Sequence, residues 1–74
     1  MEYITKVLNH LYLMIDTETD RLDHKLQALD ILDRALIHTD SNILTDELLN
    51  IIELITMDNI EESIMTLEII NNEI

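Results

Sequence analysis

The sequence predicts an all-α fold, a compact bundle of three to four short antiparallel helices forming one domain over residues 1–74. Three observations predict it. The chain contains no glycine and no proline, which disfavours the tight turns that join strands into hairpins. Its apolar residues recur at helical rather than alternating spacing. The segments between these runs are short and rich in Asp, Asn and Thr, which suits helix caps.

A first helix is predicted from about Glu2 to Ile15. Its buried face is marked by an i, i+3, i+4, i+7 pattern at Ile4, Val7, Leu8, Leu11 and Ile15. Thr17 and Asp20 are then spaced like a capping pair, so a second helix is predicted from about Glu18 to Ile37. One continuous helix through this polar cluster is the alternative.

The second helix carries apolar residues on two sides, which predicts a central helix packed against two sets of neighbours. One side consists of Leu22, Leu26, Leu29, Leu36 and Ile37, and the other of Ala28, Ile31, Leu32 and Ala35. Asp33 falls within the first stripe. We expect it to be structural, either hydrogen-bonded to Tyr3 or Tyr12 or exposed at the edge of the bundle.

The polar run 38–42 predicts a loop, followed by a third helix that opens at Thr45, Asp46 and Glu47. The buried face of this helix is predicted at Leu44, Leu48, Ile51, Ile52 and Ile55. Asp58 is predicted to be the N-cap of a fourth helix, with Glu61 at its third position. That helix is predicted to bury Ile60, Ile64, Leu67 and Ile70, with Ile74 as a further candidate.

The net charge is −12, from 4 basic and 16 acidic residues, and residue 34 is the last base. This balance argues against direct binding to nucleic acid or an anionic membrane, because either polyanion would repel the chain. No apolar run is long enough to span a bilayer, and the start lacks the features of a signal peptide. With no cysteine, a cytoplasmic location is expected.

Features typical of enzymes are missing from the sequence. There is no cysteine nucleophile, neither Ser41 nor Ser63 has a nucleophile-elbow context, and phosphate-cradling loops need glycine. The histidines His10, His24 and His38 lie 14 residues apart, which does not bring three metal ligands together by local spacing. We therefore expect no catalytic residue, no cofactor and no metal site.

The candidate partner-binding surface combines apolar residues off the core faces with surrounding acids. The apolar candidates are Leu54, Met65 and Ile69. The acidic candidates are Asp46, Glu47, Glu53, Asp58, Glu61, Glu62, Glu68 and Glu73. A desolvated apolar centre with a polar rim is typical of a protein interface. Carboxylates on a rigid helical surface can also imitate nucleic-acid phosphates and steer a basic partner.

In overall composition the chain resembles the small acidic proteins with which bacteriophages and mobile elements block host machinery, including anti-CRISPR and anti-restriction proteins. The resemblance implies an inhibitor, and it assigns no binding residue. Our leading hypothesis is a non-catalytic inhibitor or regulator that binds a basic surface of a larger nucleic-acid-handling protein, as a DNA mimic would. The alternative is a structural module that forms a homodimer and uses its acids only for solubility.

Overall fold

A computed structural model describes residues 2–17 and 20–73, apart from the side chain of Glu73. This part of the chain contains four helices and no strand, which confirms the predicted all-α class. The helices are α1 (Glu2–Asp16), α2 (Arg21–His38), α3 (Asn42–Thr56) and α4 (Ile60–Glu73).

The four helices form a ring in which each packs against two neighbours. α1 packs beside α2 and α4, α3 also packs beside α2 and α4, and the backbones of the diagonal pairs do not approach each other closely within the described ranges. Neighbouring helices α1 and α2 are antiparallel, since Tyr3 lines a groove with His38 whereas His10 meets His24. The ring therefore places α4 on the side of the bundle opposite α2.

All four helices contribute to one apolar core. The buried residues are Ile4, Val7, Leu8, Leu11, Met14, Ala28, Leu32, Leu48, Ile51, Ile55, Ile60, Ile64, Leu67 and Ile70. The predicted faces of α3 and α4 are confirmed, with Leu44 and Ile52 only partly buried and Ile74 outside the described residues. A single buried polar side chain appears in this set of helices, Ser63, whose hydroxyl donates to the Asn59 carbonyl at 2.8 Å.

The prediction that Ile15 is buried is wrong. Ile15 is 47% exposed, and Met14 is buried in its place. Ile15 lies next to the last residue of α1 and lines a surface groove with Arg21 and Ile60. The bundle is open to solvent at this end, so helical spacing alone overestimates the burial of a terminal position.

The two-sided burial predicted for α2 is also wrong in part. Ala28 and Leu32 are fully buried, but Leu22, Leu26 and Ile37 are 67%, 56% and 78% exposed. In a ring of four, a helix has a core side and two neighbours, and its outer side is left uncovered. Asp33 lies on this outer side and is exposed, as one of the two expectations for it stated.

The connection between α1 and α2 differs from the predicted capping arrangement. Asp20 has φ 59° and its side chain makes no capping hydrogen bond, so α2 begins at Arg21. The predicted start at Glu18 lies outside the described residues. A left-handed residue at position 20 interrupts the helical path, which excludes a continuous first helix. The Thr17 hydroxyl instead donates to the carbonyl of Leu13 at 2.8 Å.

Helix α3 begins three residues earlier than predicted, within the expected loop. The Ser41 hydroxyl accepts the N–H of Leu44 at 3.2 Å, which satisfies one of the free donors at the helix start. Helix formation therefore begins at Asn42 rather than Thr45. Asp46 and Glu47 consequently lie beyond the first turn.

The turn between α3 and α4 is closed by backbone hydrogen bonds around Asp58, which has φ 66°. Asp58 N–H donates to the Ile55 carbonyl at 2.9 Å, and Asn59 N–H donates to the Leu54 carbonyl at 2.8 Å. This pair of bonds is the Schellman motif, in which the left-handed residue is usually glycine. The predicted N-cap role of Asp58 is therefore wrong, because Asp58 terminates α3 and Asn59 directly precedes α4.

Candidate protein-binding face

The outward side of α4 carries two large apolar residues. Met65 and Ile69 are 64% and 58% exposed and stand one helical turn apart, so they are neighbours on the same side. Ile60, Ile64 and Leu67 occupy the opposite, buried side. Both sequence-predicted anchors on α4 are therefore available to a partner.

Carboxylates surround these two residues. Glu61 and Glu62 lie in the first turn of α4, where the helix dipole favours negative charge. The Glu62 carboxylate accepts the Asn59 side-chain amide at 2.6 Å. On the flank toward α1, the Glu68 carboxylate accepts the hydroxyl of Tyr12. These hydrogen bonds hold the carboxylates of Glu62 and Glu68 in place on the surface. Glu61 is exposed beside them.

Tyr12 belongs to the same surface, although no pattern in the sequence predicted this. Its side chain is 42% exposed and reaches Glu68, which is one turn from Met65 on α4. The pairing of α1 with α4 spans 56 residues of sequence, and no local spacing reports such a contact. The α4 face, as used below, consists of Tyr12, Glu61, Glu62, Met65, Glu68 and Ile69.

The predicted binding residues on α3 fall into two groups. Asp46 and Glu53 are exposed, whereas Glu47 and Leu54 are half-buried. Leu54 is therefore less accessible than Met65 and Ile69, because it lies partly within the bundle. The side chain of Glu73, the last predicted member, lies outside the described residues.

Asp58, a further predicted member of the binding surface, is exposed and pairs with two bases of α2. Its carboxylate lies 3.6 Å from Nη2 of Arg21 and 3.7 Å from Nζ of Lys25. The Lys25 ammonium also donates to the Thr56 carbonyl at 3.4 Å. Two of the four bases thus stabilise the α3–α4 turn, and the charge of Asp58 is offset within the molecule.

Charge is divided unequally among the helices. α3 and α4 together hold seven acids and no base. α2 holds three acids and three bases and is neutral. The acids of α2 are Asp23, Asp30 and Asp33, and its bases are Arg21, Lys25 and Arg34. The electrostatic attraction of a basic partner would therefore be directed at α3 and α4.

His10 and His24 meet between α1 and α2, although their spacing in sequence did not indicate it. Their Nδ1 atoms are 3.1 Å apart and their ring centroids 5.3 Å apart. Burial lowers the pKa of His10 below its ordinary value, His24 lowers it further, and Asp23 opposes the shift. Residues 2–17 and 20–73 contain no group of three or more His, Asp or Glu side chains placed to hold a metal ion.

A shallow groove of about 490 Å³ lies between α1 and α2. Lys6, Arg34 and His38 line it together with Tyr3, and burial raises the pKa of the Tyr3 hydroxyl. Arg34 is already paired with Asp30 at 3.2 Å. The groove is therefore a weaker candidate for binding than the α4 face.

No described helix is both long enough and apolar enough to cross a bilayer. No family profile, curated protein or solved structure matches this chain.

Proposed function

We propose that this protein is a non-catalytic inhibitor or regulator that docks its α4 face onto a basic surface of a larger, nucleic-acid-handling protein. The observation that carries the proposal is the pair Met65 and Ile69, exposed at 64% and 58%, among carboxylates on a helix that has no base. Such an apolar centre with a charged rim supports a protein partner rather than a small ligand.

The two kinds of side chain would contribute differently to binding. The acids of α3 and α4 would raise the association rate by long-range attraction, and this contribution weakens with salt. Met65, Ile69 and Tyr12 would be desolvated in the complex and slow dissociation, since a few buried apolar and aromatic anchors dominate most interfaces. Because carboxylates on a rigid helical surface can imitate the phosphates of a nucleic acid, the partner's nucleic-acid groove is the surface we expect to be occupied.

The experiment compares two double variants with the same change in net charge. Glu61→Lys with Glu62→Lys alters the α4 face, and Asp16→Lys with Asp40→Lys alters exposed acids elsewhere. A basic protein captured from host lysate by the wild type is purified, and its affinity for each variant is measured by calorimetry at about 0.1 M and about 1 M salt, where the Debye lengths are about 10 Å and 3 Å.

The α4 variant is expected to bind at least about tenfold more weakly at the lower salt, corresponding to ~1.4 kcal/mol, and the control variant much less so. Wild type should also displace nucleic acid from the captured protein. Equal weakening by both double variants would mean that only total charge matters and would refute the assignment to α4. Unchanged nucleic-acid binding by the captured protein would refute the inhibitor mechanism.

A second candidate function is a structural module that works through self-association. The observation in its favour is the exposed apolar side of α2, where Leu22, Leu26 and Ile37 are mostly exposed. It differs from the first proposal in requiring no second protein. If no basic protein is captured and the chain self-associates, this second function is the one to retain.

A further inference from the structure

An apolar stripe runs along the outer side of α2. Leu22, Leu26 and Ile37 are mostly exposed, and the half-buried Leu29 and Leu36 continue the stripe toward the core. The positions 22, 26, 29, 33 and 36 alternate between four- and three-residue steps, which is the spacing of a helix–helix seam in coiled coils. Leu29 and Leu36 pack partly against the core, whereas Leu22 and Leu26 are left mostly exposed by the other three helices.

The charge of α2 distinguishes this side of the molecule from the others. Two copies that met through α3 and α4 would bring seven acids against seven with no base between them. Two copies that met through α2 would join helices of zero formal net charge. In a protein of net charge −12, α2 is the helix along which a second copy can approach with the least repulsion.

We infer that the partner of this stripe is a second copy of the chain, and that α2 pairs with α2 in a twofold homodimer. In such an interface the same residues contribute from both copies. A standard interface takes about 800 Å² from each partner, which is roughly one-sixth of the 4889 Å² accessible surface. One of the four sides of this bundle offers an area of that order.

Asp33 determines the orientation of the two helices. It lies in the seam between Leu26 and Ile37, and parallel helices would set the two Asp33 carboxylates against each other. Antiparallel pairing about the middle of α2 instead brings each Asp33 to the level of Leu26 in the other copy. The antiparallel arrangement therefore separates the two carboxylates and removes this repulsion.

This dimer leaves both α4 faces free. Because α4 lies diagonally across the bundle and is not one of the two helices packed beside α2, the two α4 faces point away from the interface on opposite sides. The inference does not depend on the inhibitor proposal, and it specifies the interface for the self-association that is the second candidate function. If both hold, the assembly is bivalent and presents two acidic faces to one partner complex or to two.

Sedimentation equilibrium over a range of protein concentrations tests the interface. Wild type should approach twice the monomer mass of 8.7 kDa. Leu26→Glu, at a position already 56% exposed, should weaken the dimer at least about 100-fold, since each copy loses a buried leucine and gains a charge. Met65→Glu is the matched control, a mostly exposed apolar residue on α4, and should leave the dimer unchanged.

Two further measurements give effects in the opposite direction. Asp33→Leu completes the apolar seam, so the dimer of this variant should be at least about tenfold tighter than the wild-type dimer. Raising salt from about 0.1 M to 1 M should also tighten it, because the net repulsion between copies is screened. Circular dichroism confirms that each variant keeps its helical content. A wild type that stays monomeric, or a dimer dissociated by Met65→Glu and not by Leu26→Glu, overturns the inference.

Discussion

Asp58 combines two roles whose contributions to stability can be separated by substitution. It holds a left-handed backbone conformation, with φ 66°, that ends α3, and its carboxylate pairs with Arg21 and Lys25. Asp58→Asn removes the charge and keeps a residue type that tolerates this conformation. Asp58→Ala removes the charge and also places an ordinary side chain at positive φ.

The expected magnitudes follow from these two roles. Exposed ion pairs contribute ~0.2–1 kcal/mol each, and Asp58 and Arg21 are 56% and 45% exposed, so the two pairs together should give ~0.5–1 kcal/mol. A non-glycine residue without a compensating side chain costs ~1–2 kcal/mol in the left-handed region. Asp58→Asn is therefore expected to lose ~0.5–1 kcal/mol of unfolding free energy, and Asp58→Ala about 2 kcal/mol.

Urea unfolding followed by circular dichroism at low and high salt measures both contributions. Salt should abolish most of the loss in Asp58→Asn, because it screens the ion pairs, and leave the backbone part of the loss in Asp58→Ala. Asp40→Asn is the control for net charge, at an exposed loop position. Equal losses in the Asn and Ala variants would refute the backbone argument, and an Asp58→Asn variant as stable as Asp40→Asn would refute the ion-pair argument.

Two further predictions concern the core and the histidine pair. Leu48→Ala should cost about 3 kcal/mol because Leu48 is fully buried; this is a large part of the ~4–11 kcal/mol expected for a domain of 74 residues. Leu49→Ala, at a 50% exposed neighbour, is its control, and equal losses in urea unfolding would contradict the assigned core. The depressed pKa of His10 means that the folded state binds fewer protons than the unfolded state. The contribution of neutral His10 to stability is therefore present above pH 6.5. It is lost as the pH falls below that value toward the pKa of His10 in the folded state. Relative to His10→Gln, wild type should therefore lose stability on acidification, and an NMR titration should show the His10 pKa rising in His24→Gln; a His10 pKa at or above its ordinary value would contradict this.

The helices and most of the core follow from the spacing of apolar residues. The buried faces of α3 and α4 were predictable because each helix shows a single apolar stripe with helical spacing. A helix with only one such stripe packs that stripe against the core. α2 was not predictable in this way, since it has two stripes. Which of the two stripes faces the core depends on the number of neighbouring helices. The spacing of Leu22 and Leu26 in the sequence is the same whether these residues pack against a helix or face solvent.

The turns were less predictable because one residue type serves several roles. Asp and Asn are suited to N-caps and also to left-handed positions that end helices. In a chain without glycine, Asp20 and Asp58 take the left-handed positions, whereas Ser41 is the cap that starts α3. The choice for Asp58 depends on Arg21 and Lys25, which approach from a helix more than 30 residues away.

The candidate site was predictable only in its local part. Met65 and Ile69 lie on one helix, and their exposure follows from the position of the core stripe of that helix. The contribution of Tyr12 depends on the packing of α1 against α4. The ion pairs of Asp58 and the partial burial of Leu54 depend on the positions of α2 and of the turn. Residues joined by local periodicity were therefore identified, and residues joined by tertiary contacts were not.

The proposed partner interface and the inferred dimer respond to salt in opposite directions, and this separates them experimentally. Binding of the α4 face to a basic surface joins opposite charges and must weaken as salt screens them. Pairing through the neutral α2 joins two molecules of net charge −12, so screening removes a repulsion and the dimer must tighten. One series of salt concentrations, in which both the molecular mass and the affinity for the partner are measured, therefore tests both interactions. It distinguishes a protein that dimerises and also binds a basic partner from one that does only one of these.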